Sequence, residues 1–472
     1  MLKAMGAAGA LALALLLPPA AQAATDAELA DIREQIRQLK ESYEARIQAL
    51  EQRLKAAETK PADARAAPAA LSTPAGSAPT VAAVPAPAAP AGAPTASANA
   101  FNPAIYAVLQ GTYTNLSQDP GNYAISGFVP SGDIAPGKRG FSIAESEVGL
   151  SASVDDKIYG NLILSLAPDD SIAVEEAYGV LTALPHGFTP KIGRFLSSIG
   201  YLNDQHQHVW DFYDAPLPYQ AFLGGQFRSD GLQLKWVAPT DTFLEFGAEI
   251  GDGSRFPGTD RNKNGIGSGA VYAHAGGDVG ASHSWRAGLS YLQLRPDDRQ
   301  YVQTDVAGNP AQLAFSGRSQ LAIADLVWKY APNGNARSTH FKLQGEYFWR
   351  REKGDLTYDS DGALGLTSTA PYASRQSGWY LDGVYQFLPQ WRVGARYDRL
   401  STGTADYGAN GISLAPESFN PQRYSLMLDY TPSEFSRFRV QWQQSRLRPD
   451  VTDNQLFIQY ILTLGAHAAH QY

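Results

Sequence analysis

Between Asp204 and Asp214 the chain sets two imidazoles, His206 and His208, among three carboxylates, Asp204, Asp211 and Asp214. Imidazole nitrogen and carboxylate oxygen are donors that zinc and other divalent metals accept. On an extended segment, side chains two apart point the same way, so both imidazoles suit one cation and the segment is a candidate zinc site. Trp210, Phe212 and Tyr213 are available to hold it against a wall. The same residues also suit a polar lining without metal, or contacts between subunits. A second candidate, Asp260-Arg-Asn-Lys-Asn-Gly265, begins like a calcium loop, but its twelfth position is Val271 where a bidentate glutamate is needed. A polar hairpin tip is the better reading there. Nucleophilic chemistry finds little support: Gly-x-Ser-x-Gly is absent, and Ser282-His283-Ser284 assembles with no evident carboxylate. Cysteine is absent as well, which removes thiolate catalysis, a disulfide framework and cysteine-based zinc sites. No catalytic residue is expected.

Three zones position these residues. Lys3, the apolar run Ala7–Leu17, Pro18-Pro19 and Ala21-Gln22-Ala23 form the pattern of a secretory signal peptide over residues 1–23. The run is shorter than the roughly 20 residues of a spanning helix, so cleavage after Ala23 and export are expected. Residues 24–60 carry Leu29, Ile32, Ile36, Leu39 and Tyr43 at alternating three and four spacings, a heptad seam. Tyr43, Ile47, Leu50 and Leu54 continue it in a shifted phase, a stutter. Such a short amphipathic helix gains little alone, so its stripe implies partner copies in a periplasmic coiled coil, the alternative being an isolated amphipathic helix resting on the periplasmic face. Residues 61–101 are almost entirely Ala, Pro, Ser, Thr and Gly, which cannot bury enough apolar area to offset the entropy of ordering. That stretch reads as a disordered linker.

Residues 102–472 change to repeated strands with period-two apolar alternation and aromatic ends. Sixteen are expected, near 103–114, 140–154, 157–167, 172–184, 187–195, 226–238, 241–251, 269–277, 281–294, 317–331, 336–351, 376–388, 389–400, 421–432, 434–447 and 452–465. Short turns such as Asp155-Asp156, Pro239-Thr240 and Pro432-Ser433 alternate with loops of unequal length, the longest near 196–225, 351–376 and 401–420. That alternation and an even strand number are what an outer-membrane barrel requires. The fold class expected is all-β, a sixteen-stranded antiparallel transmembrane barrel preceded by the coiled coil and linker. The 24 Tyr, 8 Trp and 44 Gly, with a negative mean hydropathy, fit a barrel apolar on its outer face alone.

Register follows from what lipid tolerates, since a midplane charge on the outer face costs about 2–4 kcal/mol. Tyr424, Leu426, Leu428 and Tyr430 therefore face outward, as do Phe438, Val440 and Trp442, and Leu456, Ile458, Tyr460, Leu462 and Leu464. The lumen then receives Lys342, Arg350, Arg392, Arg396, Arg423, Arg437 and Arg439 from late strands, and Glu145, Glu147, Glu176, Glu245 and Glu249 from early ones. A basic and an acidic wall are expected; walls of charge select ions, although the same groups can simply form stabilising ion pairs. The mild net charge of −8 gives no reason to expect nucleic acid as a partner.

Phe188-Thr-Pro-Lys-Ile-Gly-Arg-Phe-Leu-Ser-Ser-Ile-Gly-Tyr-Leu202 and Gly225-Gln-Phe-Arg-Ser-Asp-Gly-Leu-Gln-Leu-Lys-Trp236 resemble the phosphate-selective porin family. The resemblance implies a sixteen-stranded homotrimeric barrel (a homotrimer) conducting anions past arginine and lysine, with Lys191, Arg194 and Arg228 in or beside the matching stretches. The position of the third loop resembles that of the loop that folds into the pore of general porins. The chain also resembles outer-membrane proteins labelled zinc-regulated or TonB-dependent, but no globular plug precedes its first strand. The function expected is a porin-like outer-membrane channel, embedded in outer-membrane lipid, for passive diffusion of small solutes or ions, anions or metal ions among them. The alternative is an outer-membrane receptor or tether without an open channel.

Overall fold

Alternation of side chains decides the architecture. Along Gln422–Ser433, Tyr424, Leu426 and Leu428 stand exposed while Arg423, Ser425, Met427 and Asp429 are buried. Apolar residues outside and polar ones inside is the arrangement of a sheet that wraps a lumen and meets lipid on its convex face. No helix among the described residues is long and apolar enough to cross a membrane.

The computed structural model describes residues 103–129, 134–260 and 262–465. The signal peptide, coiled coil and linker expected from the sequence lie outside them. The strands are β1 (Ala104–Leu116), β2 (Gly140–Ile143), β3 (Ser146–Ser153), β4 (Ile158–Leu166), β5 (Ile172–Leu181), β6 (Phe188–Leu196), β7 (Arg228–Val237), β8 (Phe243–Gly251) and β9 (Ser268–Val279). They continue as β10 (His283–Leu294), β11 (Arg299–Thr304), β12 (Pro310–Tyr330), β13 (His340–Tyr358), β14 (Ser368–Leu388), β15 (Trp391–Asp406), β16 (Gln422–Ser433), β17 (Ser436–Arg448) and β18 (Val451–Gly465). A seven-residue helix, α1 (Leu217–Leu223), interrupts the connection between β6 and β7.

β2 and β3 are two halves of one wall strand, since both pair with β1. β10 and β11 likewise both pair with β12. The wall therefore has sixteen antiparallel staves, and β1 pairs with β18 from Tyr106↔Gly465 to Leu116↔Gln455 to close it. Closure leaves no exposed strand edge. At the short-turn end, Trp391, Tyr430, Phe438 and Tyr460 fall opposite one another across β15 to β18. Their rings sit 4.7 Å apart in the first pair and 4.5 Å apart in the last, a continuous aromatic row at one rim.

The wall differs from expectation at the long-loop end. Residues 351–376, expected as a loop, are mostly ladder: β13 runs to Tyr358 and β14 starts at Ser368, paired from His340↔Gln386 to Tyr358↔Ser368. β12 begins at Pro310 rather than near 317, and β15 continues to Asp406. In these extensions the exposed positions of β13 are Arg351, Lys353 and Asp355 rather than apolar residues. Sequences such as Arg350-Arg-Glu-Lys-Gly-Asp355 therefore lose hydrophobic alternation although the hydrogen-bonded ladder continues. A cluster of Tyr301, Leu313, Phe315, Leu356, Tyr358 and Leu414 packs in this upper part.

Candidate functional site

Residues 197–227 leave β6 and fold into the lumen. α1 is buried along its whole length, and Ile199, Leu217, Tyr219 and Phe222 join one cluster with Leu292, Leu321, Phe348 and Leu400 of the wall. Part of the lumen is thus apolar, which the polar-inside expectation did not include. An irregular segment buried in this way must satisfy its backbone groups elsewhere, and charged wall residues do this. Glu176 accepts from Leu196 N at 2.9 Å, Glu249 from Ser198 N at 3.0 Å, and Asp398 from Leu217 N at 3.0 Å. Glu346 accepts from Tyr201 N at 3.1 Å, Leu202 N at 3.2 Å, the Tyr219 hydroxyl at 2.9 Å and the Tyr380 hydroxyl at 2.6 Å. In the opposite sense, Arg396 donates to the Asp214 carbonyl and Arg439 to the Trp210 carbonyl, both at 2.8 Å. Arg437 donates to the His208 carbonyl.

Close approach makes Gly200 necessary. It has φ +67°, and a Cβ there would lie 2.4 Å from Glu346 Oε2 and 2.9 Å from the Tyr219 hydroxyl.

Four of the five residues read as one candidate metal set divide between two walls. Asp211 meets Lys342 and, at 2.9 Å, Arg392. Asp214 meets Arg423 and, at 2.8 Å, Arg396. Burial opposes ionisation of Asp211, but Lys342 and Arg392 overcome it and hold its carboxyl well below the ordinary range. Burial opposes ionisation of Asp214 too, and Arg396 with Arg423 lowers it likewise. Asp204 is exposed. The histidines turn the other way. His208 Nδ1 is 2.9 Å from Glu147 Oε1 of β3, and His206 Nε2 is 3.1 Å from Glu176 Oε2 of β5. The segment is a 3-10 turn at Gln207–Val209 rather than fully extended, yet the two rings stack with centroids 5.8 Å apart.

Of the remaining residues singled out from sequence, Lys342 stands on β13, Arg392 and Arg396 on β15, Arg423 on β16, and Arg437 and Arg439 on β17. Arg439 also pairs with Asp429 at 2.8 Å and Arg396 with Asp398 at 3.0 Å. Glu145 sits at the interruption between β2 and β3 and accepts from the Ser165 hydroxyl. Glu245 of β8 pairs with His274 at 3.0 Å. Asp260 caps its own turn at Asn262 N, 3.0 Å, and Val271 stands on β9, outward and exposed. Sequence reasoning missed Glu175, Glu346 and Tyr380. Glu346 and Tyr380 occupy lumen positions by simple alternation and were open to detection. Glu175 was not: Ile163 pairs with Glu176 but Leu164 with Val174, so Glu175 is the extra residue of a bulge, and both adjacent glutamates are buried.

Fold and site together define a closed sixteen-stave antiparallel barrel whose third long loop packs inside its own lumen. The chain is 32% identical over 358 residues, 71% of its own length and 71% of the relative's, to a protein of Aquifex aeolicus (strain VF5) described as "Uncharacterized protein", and it belongs to the same family. No family model matches it. Among solved structures it is similar to a loop-deletion variant of OmpT, an outer membrane protein of Vibrio cholerae, at 12% identity, covering 77% of this chain and 99% of that one, TM-score 0.49. It is also similar to the outer membrane channel DcaP of Acinetobacter baumannii, at 12% identity over 77% and 97%, TM-score 0.47. A third is the anion-selective porin from Comamonas acidovorans, at 9% identity over 77% and 99%, TM-score 0.46.

Proposed function

We propose that the protein is an outer-membrane, porin-like channel for passive diffusion of small solutes, narrowed by the loop 197–227 and preferring anions. The observation that carries this reading is a closed barrel with an apolar outer face whose long loop is latched inward by charged wall residues. Short turns of such barrels face the periplasm. Anion preference is supported by the short-turn mouth, where Lys235, Arg286, Lys329, Lys342 and Arg392 all stand on lumen-side positions near their strand ends. Four of them carry acidic partners, Lys235 with Glu245 at 4.0 Å, Arg286 with Asp325 at 3.2 Å, and Lys342 and Arg392 sharing the one carboxylate of Asp211, and the side chains keep 24% exposure at Lys235 and Arg286 and 20% at Arg392. Clustered cations at a constricted mouth raise local anion concentration. Planar-bilayer recording tests the reading: steady single-channel current with an anion-favouring reversal potential is the expected result.

The second reading, a receptor or tether without an open channel, is favoured by the apolar packing of α1 against the wall. Absence of steady current would establish it. Trimerisation through the heptad seam of residues 24–60 belongs to the proposal, and those residues lie outside the described ones. Deleting them should weaken the oligomer seen by crosslinking.

A further inference from the structure

We propose that His206, Glu147 and Glu175 bind one divalent first-row transition-metal cation between the inward loop and the acidic wall. This stands apart from whether the barrel conducts. His206 Nδ1 lies 3.5 Å from Glu147 Oε2 and 3.5 Å from Glu175 Oε2, and the three donor atoms are all within 4.8 Å of one another. A tetrahedral zinc with bonds of about 2.1 Å separates its donors by about 3.4 Å. Two edges of that tetrahedron are therefore already set, and the third, between the two carboxylate oxygens, lies within 4.8 Å.

The surroundings match a metal site beyond distance. His206 Nε2 is 3.1 Å from Glu176 Oε2, and a metal-binding histidine usually presents its other ring nitrogen to a carboxylate, which fixes the tautomer and leaves a lone pair for the metal. A protonated ring pairs with both carboxylates through Nδ1; with the proton on Nε2 alone, the same three atoms offer lone pairs that a divalent cation can take. Nδ1 of His206 and Oε2 of Glu175 are buried atoms without a hydrogen-bond partner, and the Glu175 side chain is 92% buried, being 8% exposed. Leaving such atoms unsatisfied is costly. His208, 2.9 Å from the second oxygen of Glu147, holds that carboxylate in orientation. The bulge in β5 supplies the final element, because regular pleating would send Glu175 and Glu176 to opposite faces. Three protein donors leave a fourth position for water, and the His206 side chain, 17% exposed, marks the way in.

Calorimetric zinc titration of the full-length protein in detergent, repeated with cobalt to read its visible ligand-field absorption, tests the assignment. Wild type should bind one ion per chain with a tetrahedral cobalt spectrum. Glu175→Gln and His206→Ala should each weaken binding at least about tenfold, and Asp260→Asn, in the exposed connection between β8 and β9, should leave it unchanged. His206 lies in the loop rather than a stave, so its variant keeps the barrel ladder. Excess zinc should also raise the thermal midpoint of wild type and leave that of Glu175→Gln where it was. The proposal is overturned if wild type takes up neither ion, if Glu175→Gln and His206→Ala bind as wild type does, or if Asp260→Asn abolishes binding.

Discussion

Asp214, in the inward loop, places its carboxylate 2.8 Å from the guanidinium of Arg396 in β15, although 182 residues separate them in the chain. The same carboxylate also meets Arg423 of β16, and both arginines are almost fully buried. One loop carboxylate thus bridges two wall arginines, and Asp398, 3.0 Å from Arg396, supplies the second negative charge. Removing one partner of a buried pair costs about 3–5 kcal/mol where nothing replaces it; here Arg423 would lose its paired carboxylate while Arg396 keeps Asp398. Asp214→Ala should therefore release the loop from the basic wall, lower thermal stability and raise single-channel conductance. Unaltered conductance together with an unaltered melt would show that the latch holds nothing.

Gly200→Ala is expected to act at the other anchor. A left-handed backbone costs a non-glycine residue about 1–2 kcal/mol, and the added methyl would displace Glu346 from the amides of Tyr201 and Leu202. Limited proteolysis within 197–227 should become faster than in wild type. A loop as resistant as before would contradict the close approach.

Mild acid should leave the basic-wall latch shut. Asp211 and Asp214 have folded-state pKa values below their unfolded ones, because the charges of their Lys and Arg partners outweigh burial. The stability they contribute is fully present above the unfolded value of about 3.9 and is lost only as pH falls through the depressed folded values. These two contacts should accordingly persist from neutral pH down to about 4, so whatever part of the conductance this latch controls stays level. A step upward well above that pH would place the controlling titration elsewhere.

Selectivity and latching should separate by mutation. Lys235→Gln combined with Lys329→Gln changes the mouth without touching an anchor of the loop. The reversal potential should move toward cations, more at low salt where screening is weaker, with conductance changed little. Neutralising Arg392, Arg396, Arg437 and Arg439 together should instead chiefly raise conductance, since these residues hold Asp211, Asp214 and the carbonyls of His208 and Trp210. If the lysine pair leaves the reversal potential unmoved, the mouth does not choose the ion.

Which residues form staves, and which of their faces meets lipid, was decided locally and could be read from the chain. Lipid penalises charge at every second position of a strand, so Tyr424, Leu426 and Leu428 against Arg423, Ser425 and Asp429 carry their own orientation. Where lipid ends, that constraint ends, and the ladder of β12 to β15 continued through residues whose pattern no longer announced a strand. Only closure of the barrel decided which charges meet. His206, His208, Asp211 and Asp214 are neighbours in sequence, yet the loop crosses a lumen whose facing walls have opposite charge, and it sends the imidazoles to Glu147 and Glu176 and the carboxylates to Arg392, Arg396 and Arg423. Pairing across a lumen depends on stave register and curvature, which join residues far apart in the chain. A bulge at Glu175 shows the same limit at the scale of one residue: it reverses a side chain without changing the composition around it.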